Sequence, residues 1–565
     1  MQNNKKVKLE HEYPKLNDSS ISASNAQAWF NHNLLENKDL VGTLKLKYEE
    51  SVPYKYCNMK SVFNEDLIKC ARDEIIKLNF VQKETDIYSY HQSGDLANLD
   101  GLGEKEQVLL PNLKSLRDAI YSKEFRSVVS EITGCGPISG IRTDMSANIY
   151  YSRDHLLLHD DVIDDRKVSF ILYFPETETG GNWNPRDGGA LELYPSIDNT
   201  SVPENSPVSF IPLEWNQMVF FVVEPGKSHH AVQEVVSSSE KTRRISIQGW
   251  FHYPQPGEDG YEETPKSIIT GISTLQQIQE GDELAPYNPY TNNLSIDDCQ
   301  LLQSDVEYLK QYMNPEYLKE SVMKQTADLF ADQSFIQLGK FIKSEIETDL
   351  EQLIKSADKI DGLDKPQIPT YGTGECGRWR ARGPPVIRRY LELDSTTRSN
   401  TAELGKSGHD ELAEQLSTLR DRLFCSEQFR RWLLAITQSV PNAYRSLVRR
   451  FRPGADYVLA SPTGNNKPTI DAILCLTPVS SIGEAEIWKS GKVGGYECYL
   501  TIDENDKTAS VYKRTSDDDP LLTVPVFGNT LNLVYCEEDV YKFIKYVSAS
   551  APRSRLDIFN EYQID

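Results

Sequence analysis

Histidine is scarce and unevenly placed in this chain: nine occur in 565 residues, and after His252 there is only His409. Five of the nine (His155, His159, His229, His230, His252) fall between residues 155 and 252, so an imidazole-rich site belongs to the first half. No apolar run reaches eighteen residues, which argues against a transmembrane helix, and the Met1–Lys8 start is polar rather than the apolar core of a secretion signal. The chain is therefore expected to be soluble, with no membrane partner. Its nine cysteines show no CxxC or CxxxxC spacing, so neither a zinc site nor a disulfide framework is indicated, and reduced thiols fit the cytosol or nucleus. Positive charge is short as well: 61 Lys and Arg stand against 84 Asp and Glu, a net charge of -23. That excludes a general binder of nucleic-acid backbones, which needs a basic surface, while suiting a basic protein partner. Lys5-Lys6-Val7-Lys8 reads as a nuclear-import patch or simply as a solvating basic run; the expected location is nucleus and cytoplasm.

What is present argues for more than one core. A chain of 565 residues exceeds what a single domain packs, and its 19 Phe and 29 Tyr suit β-rich cores. Residues 1–28 read as a disordered start. Helices are expected over Asn25–Glu36, Glu65–Asn79 with Asn64 as cap, and about Lys114–Ile132. The polar, Gly-containing stretch 88–109 reads as an active-site loop, and a strand-dense region runs on to Tyr253. Residues 255–305 carry many Pro, Gly, Asp, Glu and Asn and read as a linker. Tyr308–Ile354 reads as largely helical. Strands are expected at Val386–Leu393, Ala455–Ala460, Ile470–Leu476, Glu484–Trp488, Glu497–Ile502, Ser510–Arg514 and Thr530–Tyr535. Helices followed by strands thus occur twice, which suggests a duplicated fold: 29–254 catalytic, and 306–565 without a metal site.

The chemistry centres on His159-Asp160-Asp161. Residues i and i+2 of a strand face one side, so His159 and Asp161 converge on one ion while Asp160 points away. A distal histidine completes two imidazoles and one carboxylate, the set that holds a non-haem Fe(II) on one face and leaves positions for a co-substrate and O2. His230 shares a register with Val232 and is preferred; His229 is then expected to face outward or line the pocket mouth. Further on, Arg244 and Ser246 share a strand face. A dicarboxylate that chelates iron by its keto-acid end needs a cation at its far end, which Arg244 supplies bidentately and Ser246 assists; Arg243 is the fallback. Tyr150 and Tyr173, on the strands flanking His159, can donate to the same carboxylate. Trp250 is expected to pack the core or border the site, and Gly188-Gly189 to form a tight turn.

Longer words carry a resemblance. Leu158-His-Asp-Asp-Val-Ile163, Phe170-Ile-Leu-Tyr-Phe174, Gly188-Gly-Ala-Leu-Glu-Leu-Tyr194, Trp215-Asn-Gln-Met-Val-Phe-Phe221, His230-Ala-Val-Gln-Glu-Val235 and Ser246-Ile-Gln-Gly-Trp-Phe-His252 look like the Fe(II)/2-oxoglutarate-dependent ribosomal prolyl hydroxylases of eukaryotes, whose fungal members are associated with translation termination. The second half resembles that group's non-catalytic domain. The resemblance implies an α+β, mainly β fold of two double-stranded β-helix (jelly-roll) domains, each flanked by helices. It implies iron on His159, Asp161 and His230, and 2-oxoglutarate on Arg244, Tyr150, Tyr173 and Ser246. It further implies O2 as second co-substrate, ascorbate as reductant, and a proline of a basic small-subunit ribosomal protein as substrate. That proline is hydroxylated at C3, with a second hydroxylation in some fungal members. Loop 88–109 and the turn Asp161–Asp165 are expected to grip it. The competing expectation is an oxygen-sensing scaffold acting through partners of the C-terminal half; demethylation of nucleic acid or histone is disfavoured by the acidic chain.

Overall fold

The computed structural model describes residues 27–101, 103, 107–263, 271–281, 285–394, 408–462, 467–501, 520–538 and 540–564. The basic patch at 5–8, nearly all of the expected disordered start and the strand expected at 510–514 lie outside them.

Two antiparallel sheets organise the chain. The first contains β1 (Tyr56–Met59), β2 (Val81–Glu84), β3 (Tyr88–Gln92), β4 (Thr143–Tyr150), β5 (His155–His159) and β6 (Arg166–Tyr173). It continues with β7 (Leu191–Leu193), β8 (Ser209–Ile211), β9 (Gln217–Val222), β10 (His230–Val232) and β11 (Arg244–His252). Its order is β1-β9-β6-β11-β4-β3-β5-β10-β7-β8, with β2 attached to β3. The sheet turns at β3, whose last residues His91 and Gln92 pair with β4 and whose first residues Tyr88 and Ser89 pair with β5, so the two halves face each other as a jelly roll.

The second sheet holds β12 (Asn288–Pro289), β13 (Phe335–Gly339), β14 (Trp379–Arg382), β15 (Arg388–Leu393), β16 (Pro441–Phe451) and β17 (Tyr457–Ser461). It ends with β18 (Thr469–Cys475), β19 (Glu497–Thr501), β20 (Leu522–Val524), β21 (Thr530–Cys536), β22 (Val540–Ile544) and β23 (Arg555–Ile564). Its order, β13-β21-β18-β23-β16-β15-β17-β22-β19-β20, repeats the first strand for strand. The fold is α+β, mainly β, with two jelly rolls and helices packed on one face of each.

Local rules explain the helices and where the sequence reading went astray. Over 27–36, the described part of the helix expected at 25–36, there is only a short 3-10 turn at Gln27–Trp29, and the helix runs Lys38–Glu50. Phe30 and Leu34 are buried as their spacing suggests, but His32 and Asn33 have positive φ, and the cap is Asn37, which accepts from the Leu40 amide. The helix expected over 114–132 is two helices, Pro111–Ile120 and Lys123–Thr133, because Ser122 caps the second through the Phe125 amide. Glu484–Trp488 is not a strand but part of the helix Ile482–Lys489, capped by Ser481. The largely helical stretch 308–354 is interrupted by β13. Within the expected loop 88–109, residues 88–92 are β3.

The two jelly rolls share a packed seam. Leu157, Leu158, Tyr194 and Ala231 lie in one cluster with Val386, Ile387, Tyr457 and Tyr546, so the second sheet backs the strands that carry His159 and His230. Buried polar contacts fix its register: the Ala460 amide donates to Asp86 (3.0 Å), Tyr371 to Glu192 (2.6 Å), and Ser548 and the Ala549 amide to Glu234 (2.5 and 2.7 Å).

Candidate metal centre and co-substrate pocket

His159 closes β5 and His230 opens β10; the ladder places them opposite one another. Their rings lie 4.1 Å apart, and the ligand atoms of His159, Asp161 and His230 all fall within 4.8 Å of one another. This is the one such group of three found among the described residues. Each imidazole donates Nδ1–H to a backbone carbonyl, His159 to Leu157 (2.9 Å) and His230 to Ser228 (2.8 Å). Those bonds fix the tautomer and leave both Nε2 atoms free as ligands. Nε2 of His159 is 3.4 Å from Asp161 Oδ1, and Nε2 of His230 is 3.5 Å from Oδ2. Burial opposes the Asp161 charge, but the two imidazoles outweigh it and hold the carboxyl well below the usual range.

Asp161 reaches inward because its backbone is left-handed, φ 61°. Asp160, the first residue after β5, points away and is buried at 2% exposure. Its carboxylate accepts from the Gly226 amide (3.2 Å) and from the amide (3.0 Å) and hydroxyl (2.9 Å) of Thr274. Its carbonyl accepts from Ser228 Oγ (2.9 Å). Asp160 thereby ties the metal turn to the loop before His230 and to the helix Thr274–Glu280, inside the stretch expected to be a linker. His229 neither faces outward nor lines the mouth. It is fully buried and donates to the Ser201 carbonyl (3.1 Å), and burial pushes its imidazole down to about 4, so it stays neutral.

Two groups orient Asp161: Ser169, to which the sequence did not point, and Trp250, which it placed in the core or at the border of the site. Ser169 Oγ (2.8 Å) and Trp250 Nε1 (3.1 Å) both donate to Oδ2. Trp250 does not simply pack the core: Arg244, Ser246, Gln248 and Trp250 alternate along one face of β11, a signal present in the sequence. Arg166 covers the Trp250 ring at 3.4 Å and holds it in place. Of the acidic turn, Asp165 is engaged by His252 (2.9 Å), Gln255 (2.6 Å) and Arg142 (2.6 Å), so it serves the fold rather than offering a free charge.

Beside this cluster is a second set of incomplete groups. Arg244 is buried; Nε donates to the Gly189 carbonyl (3.0 Å) and Nη1 to Ser246 Oγ (3.1 Å). Its guanidinium carbon sits 4.7 Å from the Tyr150 ring centroid and 5.1 Å from that of Tyr173. Tyr150 pairs with Arg244 and Tyr173 with Ser246 across the ladder. Arg244 Nη2 and the hydroxyls of Tyr150 and Tyr173 are buried without a hydrogen-bond partner of good geometry. Burial keeps both phenols protonated, Arg244 pulling the other way, so all three groups are donors. Leaving each unpaired costs about 1–3 kcal/mol, which an anionic ligand between them relieves. Arg243 points elsewhere, into an ion pair with Glu176. The turn behind Arg244 requires glycine: Gly188 and Gly189 have positive φ, and a Cβ on Gly188 would lie 2.0 Å from the Glu234 carbonyl.

The chain is similar to known proteins. The 2OG-Fe(II) oxygenase superfamily model matches residues 145–252, and the model described as oxoglutarate and iron-dependent oxygenase degradation C-term matches 304–565. A prolyl 3,4-dihydroxylase OGFOD1 of Ostreococcus tauri is 36% identical over 524 residues, covering 90% of this chain and 95% of that protein. The chain belongs to the OGFOD1 family of 2-oxoglutarate- and iron(II)-dependent oxygenases. The family extends to prolyl 3-hydroxylase sudestada1 of Drosophila melanogaster, 26% identical over 523 residues and covering 90% of this chain and 82% of that one. Among solved structures, a Trichoplax adhaerens prolyl hydroxylase in complex with a hypoxia-inducible-factor peptide is similar at 15% identity and TM-score 0.30, covering 40% of this chain and 94% of that one. As a dioxygenase of this family the protein uses iron(II) and 2-oxoglutarate, and its His-Asp-His cluster and the three donors beside it fit both.

Proposed function

We propose that this protein hydroxylates a peptidyl proline at C3, alone or followed by a second hydroxylation, with iron on His159, Asp161 and His230 and 2-oxoglutarate on Arg244, Tyr150, Tyr173 and Ser246. The observation that carries the reading is the juxtaposition of a three-ligand cluster with three buried, unfilled donors on neighbouring strands. When bound, iron(II) with 2-oxoglutarate and O2 replaces a proline C–H by C–OH while 2-oxoglutarate loses CO2 and becomes succinate. The chain's own residues do the positioning. Arg244 and the two tyrosines bind the far carboxylate, and Ser246 holds the guanidinium in plane through its Nη1 bond. Ser169 and Trp250 hold Asp161 in the ligand orientation. The apolar wall of Phe221, whose ring lies 4.9 Å from that of His230, keeps water from the back of the cluster.

The substrate reading rests on the relatives' names, which are prolyl hydroxylases acting at C3 or at C3 and C4. We place the target proline in a basic small-subunit ribosomal protein at the decoding centre, with effects on translation termination and oxygen-linked regulation. The net charge of -23 suits such a partner. Ascorbate as reductant, nuclear and cytoplasmic location, and partner binding by 306–565 complete the proposal. In this division 29–254 is catalytic. The test is succinate release by the purified chain with iron(II), 2-oxoglutarate, O2 and ascorbate. A proline peptide from such a ribosomal protein should stimulate it and a methylated oligonucleotide should not; the reverse pattern would overturn the substrate class.

A further inference from the structure

The strand-for-strand repeat gives the ladder residues of the first site counterparts fixed by pairing; Asp161, which lies beyond β5, has none among the described residues. His230 lies opposite His159, and two residues later Val232 lies opposite Leu156, a step of two against three. In the second sheet Lys542 lies opposite Ser461 and Ile544 opposite Val458, with the same step. Lys542 therefore stands where His230 stands. Ser169 pairs with Trp250 across β6 and β11, and at the same rank Asp471 pairs with Glu561 across β18 and β23. Arg555 and Asp557 are the first and third residues of β23, as Arg244 and Ser246 are of β11. Arg449 faces Asp557 where Asn148 faces Ser246.

The charges at these stations are inverted. Ser169 and Trp250 in the first sheet donate to a carboxylate. Their counterparts in the second are themselves carboxylates, and both close on an ammonium: Lys542 Nζ is 2.8 Å from Asp471 Oδ2 and 2.6 Å from Glu561 Oε2. At the other end the Asp557 carboxylate is gripped by Arg449 (2.9 and 3.0 Å) and by Arg555, the counterpart of Arg244. Asp471, Asp557 and Glu561 are fully buried.

We propose that the second jelly roll keeps the architecture of the iron and co-substrate site with its charges built in: the Lys542 ammonium, held where Ser169 and Trp250 hold the Asp161 carboxylate in the first sheet, closes the metal end in place of a bound cation, and the Asp557 carboxylate closes the other end in place of the far end of the dicarboxylate. The inference rests on the metal reading of the first sheet. Burial works against the Lys542 charge, yet Asp471 and Glu561 outweigh it and hold the amine above its ordinary range. One consequence is that the second domain stays packed whatever the supply of iron or 2-oxoglutarate. Another is that removing Lys542 uncovers a latent cation site between Asp471 and Glu561.

The test uses the full chain in a His159→Ala background, so that cation effects do not arise at the first site and failure of the iron reading is separable from failure of this one. Adding Lys542→Ala should lower the thermal unfolding temperature. Either MnCl2 or ethylammonium chloride should then restore about 4–8 °C. The restoration should vanish when Asp471→Asn is added. If neither cation stabilises the Lys542→Ala protein more than its parent, the stand-in reading is overturned. Should that protein not fold, Lys542→Gln and Lys542→Gln/Glu561→Gln replace it. The double variant should unfold closer to its parent than the single one; a double variant lower by the sum of both single losses overturns the reading.

Discussion

Replacing both Tyr150 and Tyr173 by Phe should move two properties in opposite directions. Each hydroxyl is buried without a hydrogen-bond partner of good geometry. Removing it relieves an unpaired polar group at about 1–3 kcal/mol each, with little loss of packing because the rings remain. The free protein should therefore gain about 2–6 kcal/mol, read as a rise of roughly 4–24 °C in unfolding temperature. Binding of 2-oxoglutarate should weaken, because each phenol is proposed to donate to its far carboxylate. A hydrogen bond to a charged group is worth about 1.5–3 kcal/mol, so each single variant should lose roughly 10–100-fold in affinity. The assay is calorimetric titration of 2-oxoglutarate into the Mn(II)-loaded chain, with thermal unfolding of the free protein alongside. A double variant that is less stable when free, yet binds 2-oxoglutarate unchanged, would refute the reasoning: the hydroxyls would then serve the fold and not the ligand.

Arg244→Gln should weaken 2-oxoglutarate binding by about 100–1,000-fold through loss of its paired charge-assisted bonds, whereas Arg243→Gln, which breaks only the Glu176 ion pair, should change it by less than about twofold. Ser169→Ala and Trp250→Phe should each weaken Mn(II) binding by about 10–100-fold with the three ligands intact, as titration of the metal would show; unchanged affinity would remove them from the support of Asp161. The seam between the jelly rolls should respond to pH through Glu234. Burial pushes its carboxyl up from 4.5 to about 7, with Ser548 and Ala549 pulling the other way. A raised carboxyl contributes stability that is complete below the unfolded value and is lost as pH rises through the folded one, here about 3 kcal/mol between roughly pH 4.5 and 7. Glu234→Gln should therefore unfold at a higher temperature than the parent at pH 8, with the gap closing toward pH 5; parallel curves would contradict this.

The sequence was most legible where chemistry follows strand alternation. Arg244 and Ser246 on one face of β11 follow from a period of two. The same period carries on to Trp250, for which the sequence leaves core packing and bordering the site both open; the structure places it beside Asp161. His159 and Asp161 do converge as expected, but for another reason, because β5 ends at His159 and Asp161 turns inward from a left-handed backbone. Ser169 was not readable, because it reaches Asp161 only through the pairing of β6 with β11. Asp160 shows the same limit: alternation says that it points away, but its partners Gly226 and Thr274 lie 66 and 114 residues along the chain. Likewise, a histidine-poor second half indicates that the chemistry occurs once, yet gives no hint that Lys542 and Asp557 occupy the equivalent stations. Short apolar words were misread for a simpler reason. Ile482–Lys489 is long enough for either element, and the Ser481 cap, rather than the apolar pattern, decides for helix.

The central claim is that the His159, Asp161 and His230 cluster drives hydroxylation of a ribosomal proline. The most direct measurement is mass spectrometry of small-subunit ribosomal proteins from cells lacking this protein, complemented with either the parent chain or His159→Ala. The parent should restore one or two added oxygen atoms on a single proline, and His159→Ala should restore none. Hydroxylation that persists without the protein, or that His159→Ala restores in full, would contradict the account.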